Sequence, residues 1–537
     1  MEFTNNYKVP PIPKRDVDLQ AMLNPSIPFD FNFVYPVKEL QNDRLRLVPF
    51  VPALFAQEFL DLVKPNPELF TWLPFAPWET MEEFLIWYDT YGHSKSDWII
   101  FAVLDLSKGI ENPKWGKGQL AGMIALLYCE PYNFSAEVGA VIIGKQFQRT
   151  HVTTNATGLL LQWTFEELHL RRVQWQANSR NEPSISAAQK IGFTLEGIIK
   201  WQRVIPMYKK ETGQRVDRGR GEEVPSRHSA MLAICWDEWE AGLKDKVAAR
   251  MARKARYIDS LYGGTRSSVP PALPLDSLQP AMGFVNKYQP SEPCGLGDLS
   301  FILDPAYQWD FNYFYPVKAL ANDRLRLVPF VPAWFAEAYL DLVRPNPEIF
   351  HLIYSPFSTW THLDQFLEFL EVYTRQNPGR LFFAVLDLTD DFEDARWGRG
   401  RLAGMIALIN TEPQNLSVEI GFVLIGKPFQ RTHVTTNACG LLLQWCFEDL
   451  EMRRVQWQAN HLNKPSVEAA KKMGFIFEGT IRWQVVLPKD RDSYGEPVMR
   501  DGRQEALGRH TVVLSISWQE WESGVKELMA KRMARLS

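Results

Sequence analysis

Apolar and polar side chains alternate along residues 43–50, as they do in a strand with one buried face. From residue 50 to residue 64 the apolar positions take the three- and four-residue spacing of an amphipathic helix, and residues 81–88 repeat that spacing. Two apolar runs at 98–106 and 119–130 flank a turn with glycine and lysine, which predicts a hairpin of two central strands.

The same mixture of patterns continues downstream. Strands are predicted at 135–144 and 171–178, and helices at 153–170, 182–192 and 236–256, with two further strands before the last helix. Thr153 or Thr154 is available to cap the long helix, and Pro183 and Gly192 suit the start and end of the shorter one. The predicted fold class is therefore α+β, with strands and helices mixed.

This whole pattern occurs twice in the chain. Residues 42–70 return at 322–350, and residues 147–178 return at 429–460, an offset far longer than a solenoid repeat. A complete domain has therefore been duplicated. The predicted organisation is an N-terminal arm at 1–28, a first domain at 29–256, a linker rich in Pro, Gly and Ser at 257–305, and a second domain at 306–537.

Composition narrows the class of protein. The chain has 537 residues, 46% hydrophobic and 23% charged, which is ordinary for a soluble globular protein. A net charge of −4 argues against nucleic acid or an anionic membrane as a partner, and Arg171, Arg172 and the basic face of 244–256 are interpreted as solvated charge. No apolar run is long enough for a transmembrane helix, and five cysteines without paired spacing predict neither a disulfide framework nor a metal site. A cytoplasmic location is expected.

The segment from Ile143 to residue 154 is the first candidate for chemistry. It is a short loop between a predicted strand and a long helix, and main-chain N–H groups at a helix N-terminus can cradle a pyrophosphate. Arg149 and His151 would add positive charge there. The alternative is a plain strand–loop–helix connection with a solvated arginine.

A second motif follows this loop. Residues 181–193 read Asn-x-Pro-Ser, a short helix and Gly-Phe, and residues 463–475 repeat them. With the opening strand Asp-Arg-Leu-Arg-Leu and the Glu-x-Gly strand before the loop, both copies resemble the GNAT superfamily of N-acetyltransferases, most of all the branch that acetylates the N-termini of ribosomal proteins. The resemblance implies two GNAT folds, each a twisted mixed sheet with helices on both faces.

The resemblance also implies acetyl-CoA as co-substrate and assigns residues to it. The strand residues Ala140, Val141 and Ile142, and Phe422, Val423 and Leu424, would pair with the pantetheine arm. The loop residues Gln148, Arg149, Thr150, His151, Val152 and Thr153, and Gln430, Arg431, Thr432, His433, Val434 and Thr435, would hold the pyrophosphate. Asn181 and Asn463 would bind the coenzyme arm. The loop departs from the family where His151 replaces a glycine, and the imidazole could then contact phosphate.

Acetyl transfer to an amine needs a base, an oxyanion donor and help for the leaving thiolate. Glu137 and Glu419 are the candidate bases, and a main-chain N–H of the same strand is the candidate oxyanion donor. Ser184 and Ser466 match a family residue near the coenzyme sulfur. The competing interpretations are a surface strand residue for Glu137 and a helix cap or packing residue for Ser184.

Several further residues fit structural roles better than catalytic ones. They are Glu196 and Glu478 as turn residues, His228 and His510 before the last strand, and Trp163, Trp175 and Trp201 as core or pocket wall.

The predicted function is transfer of acetyl from acetyl-CoA to an amine, small molecule or peptide, by direct attack in a ternary complex, without a metal. Acetylation of protein or peptide N-termini, and a non-catalytic CoA-binding or scaffold pair, remain as alternatives. Both copies are expected to be competent, with different acceptors, because residues 71–84 and 351–366 differ. Pairing of the two domains within one chain is possible, and the oligomeric state is open.

Overall fold

The structure is a computed structural model that describes most of the chain. The described residues are 3–9, 18–219, 221, 223–253, 284–290, 297–352, 360, 362–487, 494–500 and 502–535. Most of the predicted linker therefore lies outside the described residues, and the domain boundaries stay a prediction.

The first half contains eleven described strands and six described helices. The strands are β1 (Asp30–Phe31), β2 (Leu40–Gln41), β3 (Leu45–Pro49), β4 (Ile99–Asp105), β5 (Glu111–Asn112), β6 (Gly116–Lys117), β7 (Gln119–Glu130), β8 (Ser135–Ile143), β9 (Arg172–Asn178), β10 (Thr194–Val204) and β11 (Ser226–Cys235). The helices are α1 (Pro52–Val63), α2 (Met81–Tyr88), α3 (Val152–Gln162), α4 (Glu182–Ile191), α5 (Trp236–Glu238) and α6 (Lys244–Met251).

The second half repeats the elements from β2 onwards in the same order, with β12 before them and β22 as an added strand. Its described strands are β12 (Val285–Asn286), β13 (Leu320–Ala321), β14 (Leu325–Pro329), β15 (Leu381–Asp387), β16 (Glu393–Asp394), β17 (Gly398–Arg399), β18 (Arg401–Glu412), β19 (Ser417–Ile425), β20 (Arg454–Asn460), β21 (Ile476–Val486), β22 (Glu496–Arg500) and β23 (Arg503–Ser517). Its helices are α7 (Pro332–Val343), α8 (Leu363–Glu368), α9 (His433–Gln444), α10 (Lys464–Lys472), α11 (Trp518–Glu520) and α12 (Lys526–Met533).

Each half forms a mixed sheet. Strands β3, β4, β7 and β8 pair antiparallel in sequence order, β8 pairs parallel with β9, and β11 lies between β9 and β10. Apolar side chains of α1 and α2 bury against one face of the sheet, and those of α3 and α6 against the other. The α+β fold and the helices on both faces were predicted correctly.

The start of α3 differs from its prediction. The helix begins at Val152, so Thr153 and Thr154 lie inside it and cap nothing. The hydroxyl of Thr150 instead accepts a hydrogen bond from the Val152 N–H at 3.3 Å, and Thr432 does the same for Val434. The cap therefore comes from the loop itself.

The two halves join into one sheet of 17 strands through β10 and β21. At the junction Gly197 pairs with Gly479. A Cβ atom on Gly197 would lie 2.3 Å from the Glu478 carbonyl oxygen, and one on Gly479 would lie 2.4 Å from that of Glu196. Only glycine permits this approach, which explains the Glu-Gly pair in both copies.

Buried ion pairs flank this junction. Arg172 and Glu196 lie 2.7 Å apart, and Arg454 and Glu478 lie 2.6 Å apart, with all four side chains at most 2% exposed. Both arginines also donate to main-chain oxygens of the opposite half, Arg172 to Arg482 and Arg454 to Lys200. Glu196 and Glu478 therefore have a structural role, but the prediction that they are turn residues is wrong, because they lie within β10 and β21 and pair with arginines.

The interpretation of Arg171 and Arg172 as solvated charge is wrong. Each is 1% exposed, and Arg171 pairs with Glu505 of the other half at 2.9 Å. Its counterpart Arg453 pairs with Glu223 at 3.2 Å. The carboxylate partners of Arg171 and Arg453 lie far away in sequence, so the local sequence resembles an exposed basic patch. In the structure these two arginines hold the halves together.

Two short segments cross between the halves. Asn5 donates from its side-chain amide to the carbonyls of Tyr313 and Tyr315, and accepts from the Tyr313 N–H. Asn286 makes the same three bonds to Phe33 and Tyr35 of the first half. The segment preceding each half thus lies on the other half, and the two exchanges are equivalent.

No helix within the described ranges is long and apolar enough to cross a membrane.

Candidate active site

The cleft of each site begins where two parallel strands separate. Strands β8 and β9 pair only from Ser135 to Glu137 within the described residues, and the rest of β8 stays with β7. A bulge at Ala140, whose φ is 46°, bends β8 at this point, and Phe422 repeats it with φ 48°. The predicted segments 140–142 and 422–424 therefore line an open strand edge, whose main-chain groups can bind an extended ligand.

The loop before α3 presents an anion cradle. Within the described residues, the main-chain N–H groups of Arg149, Thr150 and His151 donate no hydrogen bond, and the same holds for 431–433. Side chains of the loop fix its backbone, because Gln148 Nε2 donates to the Ile143 carbonyl at 3.1 Å and Thr150 Oγ1 donates to the Phe147 carbonyl at 2.6 Å. Three free N–H groups at a helix N-terminus are the geometry that a pyrophosphate requires.

The histidine of this loop faces inward. His151 Nε2 lies 3.2 Å from Asp105 Oδ1 at the end of β4, and His433 lies 3.2 Å from Asp387. The expected contact of the imidazole with phosphate therefore does not fit the direction of the ring. Nor does His151 take the conformation of the glycine that it replaces, because the residue with left-handed backbone is Arg149, at φ 60°.

The two candidate bases are buried at the mouth of the cleft. Glu137 is 6% exposed and accepts from Gln174 Nε2 at 3.0 Å. Glu419 is 5% exposed and accepts from Asn410 and Gln456 at 3.0 and 2.9 Å. Neither is the surface strand residue of the competing interpretation.

Burial sets the proton affinity of these carboxyls. It raises the pKa of Glu137 above its ordinary value, although the guanidinium groups of Arg203 and Arg227 oppose the shift. Burial also raises the pKa of Glu419, against the hydrogen bonds from Asn410 and Gln456 and the charge of Arg509. A carboxylate with a raised pKa is a stronger base than a solvated one.

The serines of the second motif are fixed beside the cleft. Trp175 Nε1–H donates to Ser184 Oγ at 3.0 Å, and Trp457 donates to Ser466 Oγ at 3.0 Å. The helix cap is the preceding asparagine, since Asn181 Oδ1 accepts from the Ser184 N–H at 3.2 Å. Each serine therefore keeps its own hydroxyl proton available to donate, and Asn463 caps α10 as Asn181 caps α4.

A cavity of about 1030 Å³ shows how the second site is assembled. Its walls include the predicted residues Glu419, Phe422, Val423, Gln430, Thr435, Asn463 and Ser466. The predicted residues Leu424, Arg431, Thr432, His433 and Val434 are not among its walls. The base, the open strand edge and the serine thus face one space, which continues to the start of the phosphate loop.

The sequence interpretation missed the residues around each glutamate. They are Tyr128, Gln174, Arg203 and Arg227 in the first half, and Arg380, Asn410, Gln456 and Arg509 in the second. Gln174 and Arg227 recur unchanged as Gln456 and Arg509, so a comparison of the two copies could have identified them as candidate site residues. Tyr128 and Arg203 do not recur, and only the fold brings Arg203 to Glu137 and Tyr128 to Arg203.

His228 and His510 have the structural role expected of them. The Trp201 N–H donates to His228 Nδ1 at 2.9 Å, and the Trp483 N–H donates to His510 Nδ1 at 3.0 Å. Both tryptophans have positive φ at a bulge, where the strand partner is lost. Burial lowers the pKa of His228 to about 4, so this imidazole stays neutral and accepts the bond.

A twisted mixed sheet that separates between two parallel strands, present twice, defines the class of fold, and comparison with known families identifies the family. The acetyltransferase (GNAT) domain profile matches residues 44–194 and 324–476, which is more than half of the chain. The chain therefore belongs to the GNAT acetyltransferases and carries their domain twice.

Individual relatives are similar over part of the chain. YdaF of Bacillus subtilis (strain 168), whose name provisionally assigns it to the ribosomal N-acetyltransferases, is 39% identical over 83 residues, 16% of this chain. The chain spans 45% of the length of this relative.

Solved structures are likewise similar over part of the chain. A GCN5-related N-acetyltransferase from Brucella melitensis is 29% identical with a TM-score of 0.34, over 42% of this chain and 90% of that one. The spermidine N-acetyltransferase from Vibrio cholerae, in complex with CoA and spermine, is 16% identical with a TM-score of 0.28, over 37% of this chain and 99% of that one.

Proposed function

We propose that each half transfers acetyl from acetyl-CoA to an amine by direct attack in a ternary complex. The observation that carries this is the placement of a buried glutamate with raised pKa beside an open strand edge, which runs on to a loop of unpaired N–H groups. The same arrangement occurs twice.

The residues fit an extended acyl-CoA. The N–H groups of Arg149, Thr150 and His151 would hold the pyrophosphate, with the exposed Arg149 side chain available to the phosphates. The open edge at 140–142 would pair with the pantetheine amides, and Asn181 lies at the start of α4 across the cleft. In the second half 431–433, 422–424 and Asn463 have these roles.

The chemistry follows from the same side chains. An attacking amine must lose a proton, and Glu137 or Glu419, directly or through a water, would accept it. A main-chain N–H of the bulged strand would stabilise the oxyanion, and the hydroxyl of Ser184 or Ser466 would donate to the leaving sulfur. Much of the rate would come from holding amine and thioester together.

Two measurements test this proposal. Isothermal titration with acetyl-CoA should give close to two sites per chain. A mass-spectrometric screen over alkylamines, polyamines and peptides should then find acetylated products. Coenzyme binding without any acetylated amine or peptide would favour the scaffold function instead, and no binding at millimolar acetyl-CoA would refute both.

A peptide N-terminus is the second candidate acceptor. It is supported by the similarity to YdaF, whose name refers to ribosomal N-acetyltransferases. The peptide arm of the screen separates the two acceptors, because an enzyme for N-termini should acetylate peptides in preference to alkylamines of equal concentration.

A further inference from the structure

The cavity of the second site does not end within the second half. Beyond Glu419 its walls are formed by the first half, including Tyr128, Glu130 and Gln174. The acceptor end of one site is therefore built from both halves of the chain.

This first-half wall adjoins the other candidate base. Gln174, which lines the cavity, donates to Glu137 at 3.0 Å. Tyr128, which also lines it, lies against Arg203, whose guanidinium carbon is 6.0 Å from the centre of the Tyr128 ring. The same space thus contacts Glu419 directly and contacts the hydrogen-bond partner of Glu137.

The walls are fixed rather than loosely apposed. The Val486 N–H donates to Asn133 Oδ1 of the first half at 3.1 Å, and the Val204 N–H donates to Asn415 Oδ1 of the second half at 3.1 Å. These reciprocal bonds hold the turn after β7 against the end of β21, and the turn after β18 against the end of β10. The first-half wall of the cavity is accordingly a built feature of the fold.

We infer that the two sites share one acceptor chamber, and that an acceptor with two primary amines is acetylated at both without leaving the protein. This inference rests on the proposed acetyltransferase function. In each step an N–C amide bond forms and the thioester C–S bond breaks. The amine proton passes to the glutamate, the serine hydroxyl protonates the leaving thiolate, and the serine regains its proton through solvent from the glutamate, so that the sulfur leaves as a thiol and both residues are restored. Two molecules of acetyl-CoA are consumed for each doubly acetylated product.

Glu130 has a place in this scheme. Its carboxylate, which accepts from Asn133 Nδ2 at 2.6 Å, is exposed on the first-half wall of the chamber. It would bind the second, protonated amine while the first reacts at Glu419. The cation Arg380, which also lines the cavity, interacts with Tyr373. Its guanidinium carbon lies 3.5 Å from the centre of the Tyr373 ring, and it donates to the Tyr373 carbonyl.

An isotope-chase experiment tests the shared chamber. The full chain is given acetyl-CoA and deuterated α,ω-diaminobutane, diaminooctane or diaminododecane, with an excess of the unlabelled monoacetyl diamine. For at least one chain length, labelled diacetyl product should form early despite the chase. An equimolar mixture of Glu137→Gln and Glu419→Gln chains places one working site of each kind on separate molecules. In this mixture the unlabelled chase should suppress the formation of labelled diacetyl product.

Equal suppression in the wild-type chain and in the mixture would overturn the inference. So would a chain that acetylates alkylmonoamines but gives no diacetyl product from any of the diamines. A wild-type chain that acetylates no amine would instead refute the proposed function, so the two failures are distinguishable.

A second measurement asks whether the first half acts on the second site. In a Glu137→Gln background only the second site works, and Glu130→Gln should raise KM for diaminooctane by about fivefold, the worth of an accessible ion pair. KM for octylamine and the binding of acetyl-CoA should not change. The exposed Glu111→Gln variant is the matched control. An equal effect of Glu130→Gln on both amines, or no effect on either, would contradict the role of Glu130.

Discussion

The loop that precedes α3 reads Gln-Arg-Thr-His-Val-Thr in the first half, and its counterpart before α9 has the same six residues. The surroundings of the two buried glutamates, by contrast, have diverged. The first half has Trp98, Tyr128, Ala140 and Arg203 where the second has Arg380, Asn410, Phe422 and Val485. The loop that would hold the pyrophosphate has been kept, whereas the residues around the glutamates, including Ala140 and Phe422 on the strand that would pair with pantetheine, have changed.

The divergence alters charge as well as shape. In the first site a guanidinium from β10, Arg203, acts on Glu137, whereas the equivalent position on β21 is Val485. In the second site Asn410 donates to Glu419, at the position where the first site has Tyr128. Two sites with one coenzyme machinery and different walls are expected to share chemistry and differ in acceptor.

The largest expected effect comes from removing each base. Glu137→Gln and Glu419→Gln should each lower one part of the turnover by roughly 10²–10⁴-fold, the usual contribution of a general base. The part that is lost should depend on the amine supplied, and the double variant should lose both. Steady-state rates over a panel of amines measure this. If Glu137→Gln abolished all turnover while Glu419→Gln changed nothing for every amine, the second half would be a structural partner only.

The pH dependence should show the same buried carboxyls. Because burial raises the pKa of Glu137 and Glu419, kcat/KM should begin to fall at a pH above the ordinary glutamate pKa as the solution is acidified. The carboxylate, which accepts the amine proton, is present only above its folded pKa, so the loss occurs as pH falls. Profiles of the two single variants, each reporting the remaining site, would separate the two values. A limb at the ordinary glutamate pKa would contradict the buried base.

The junction between the halves offers the next comparison. Glu196 receives two arginines, Arg172 and Arg482, whereas Glu478 receives Arg454 and the Ser515 hydroxyl. Either glutamate changed to Gln leaves a buried guanidinium uncompensated, so the free energy of unfolding should fall by about 3–5 kcal/mol.

Glu196→Gln should cost more than Glu478→Gln, because it leaves Arg172 without its carboxylate and also removes one of the two carboxylates that pair with Arg482, the other being Glu238. Urea unfolding is the measurement, and Glu240→Gln, at an exposed residue that pairs with Lys244, is its control. Equal stability of Glu196→Gln and the control would show that the pair does not hold the junction.

The residues at the junction also show which features the sequence alone could not predict. Local patterns predicted the Glu-x-Gly strand, the phosphate loop and the Asn-x-Pro-Ser helix, because each depends on neighbours in sequence. They could not predict the burial of Arg171 and Arg172, whose partners Glu505 and Glu196 come from other strands and, for Arg171, from the other half.

The exchanged segments were visible in the sequence but were not recognised. Residues 3–7 and 284–288 both read Phe-x-Asn-x-Tyr, so the repeat extends further towards the N-terminus than the copies first compared. Their offset of 281 residues is within one residue of that of the repeat, yet nothing in the local sequence indicates that each segment lies on the opposite half. The walls of the acceptor chamber were hidden for the same reason, since they combine strands of both halves.

A smaller effect should follow from exchanging the charged wall residue. Arg203→Val should make the first site resemble the second, and shift its relative kcat/KM among amines by about tenfold, roughly 1.4 kcal/mol. Val485→Arg tests the reverse change. Both should leave acetyl-CoA affinity unaltered, because position 203 lies beyond the open strand edge. Unchanged amine preference in both variants would mean that residues other than this pair distinguish the sites.

The smallest effect is expected where the two halves are identical. His151→Gly should change acetyl-CoA affinity by less than about tenfold, because the imidazole faces Asp105 and the cradle is made of main-chain N–H groups. His433→Gly should behave alike in the second half, since His433 and Asp387 have the same geometry. Thr150→Pro should weaken binding more than either, because proline removes one N–H from the cradle. Isothermal titration of the three variants measures this order. A larger loss for His151→Gly than for Thr150→Pro would show that the imidazole leaves Asp105 and binds phosphate itself.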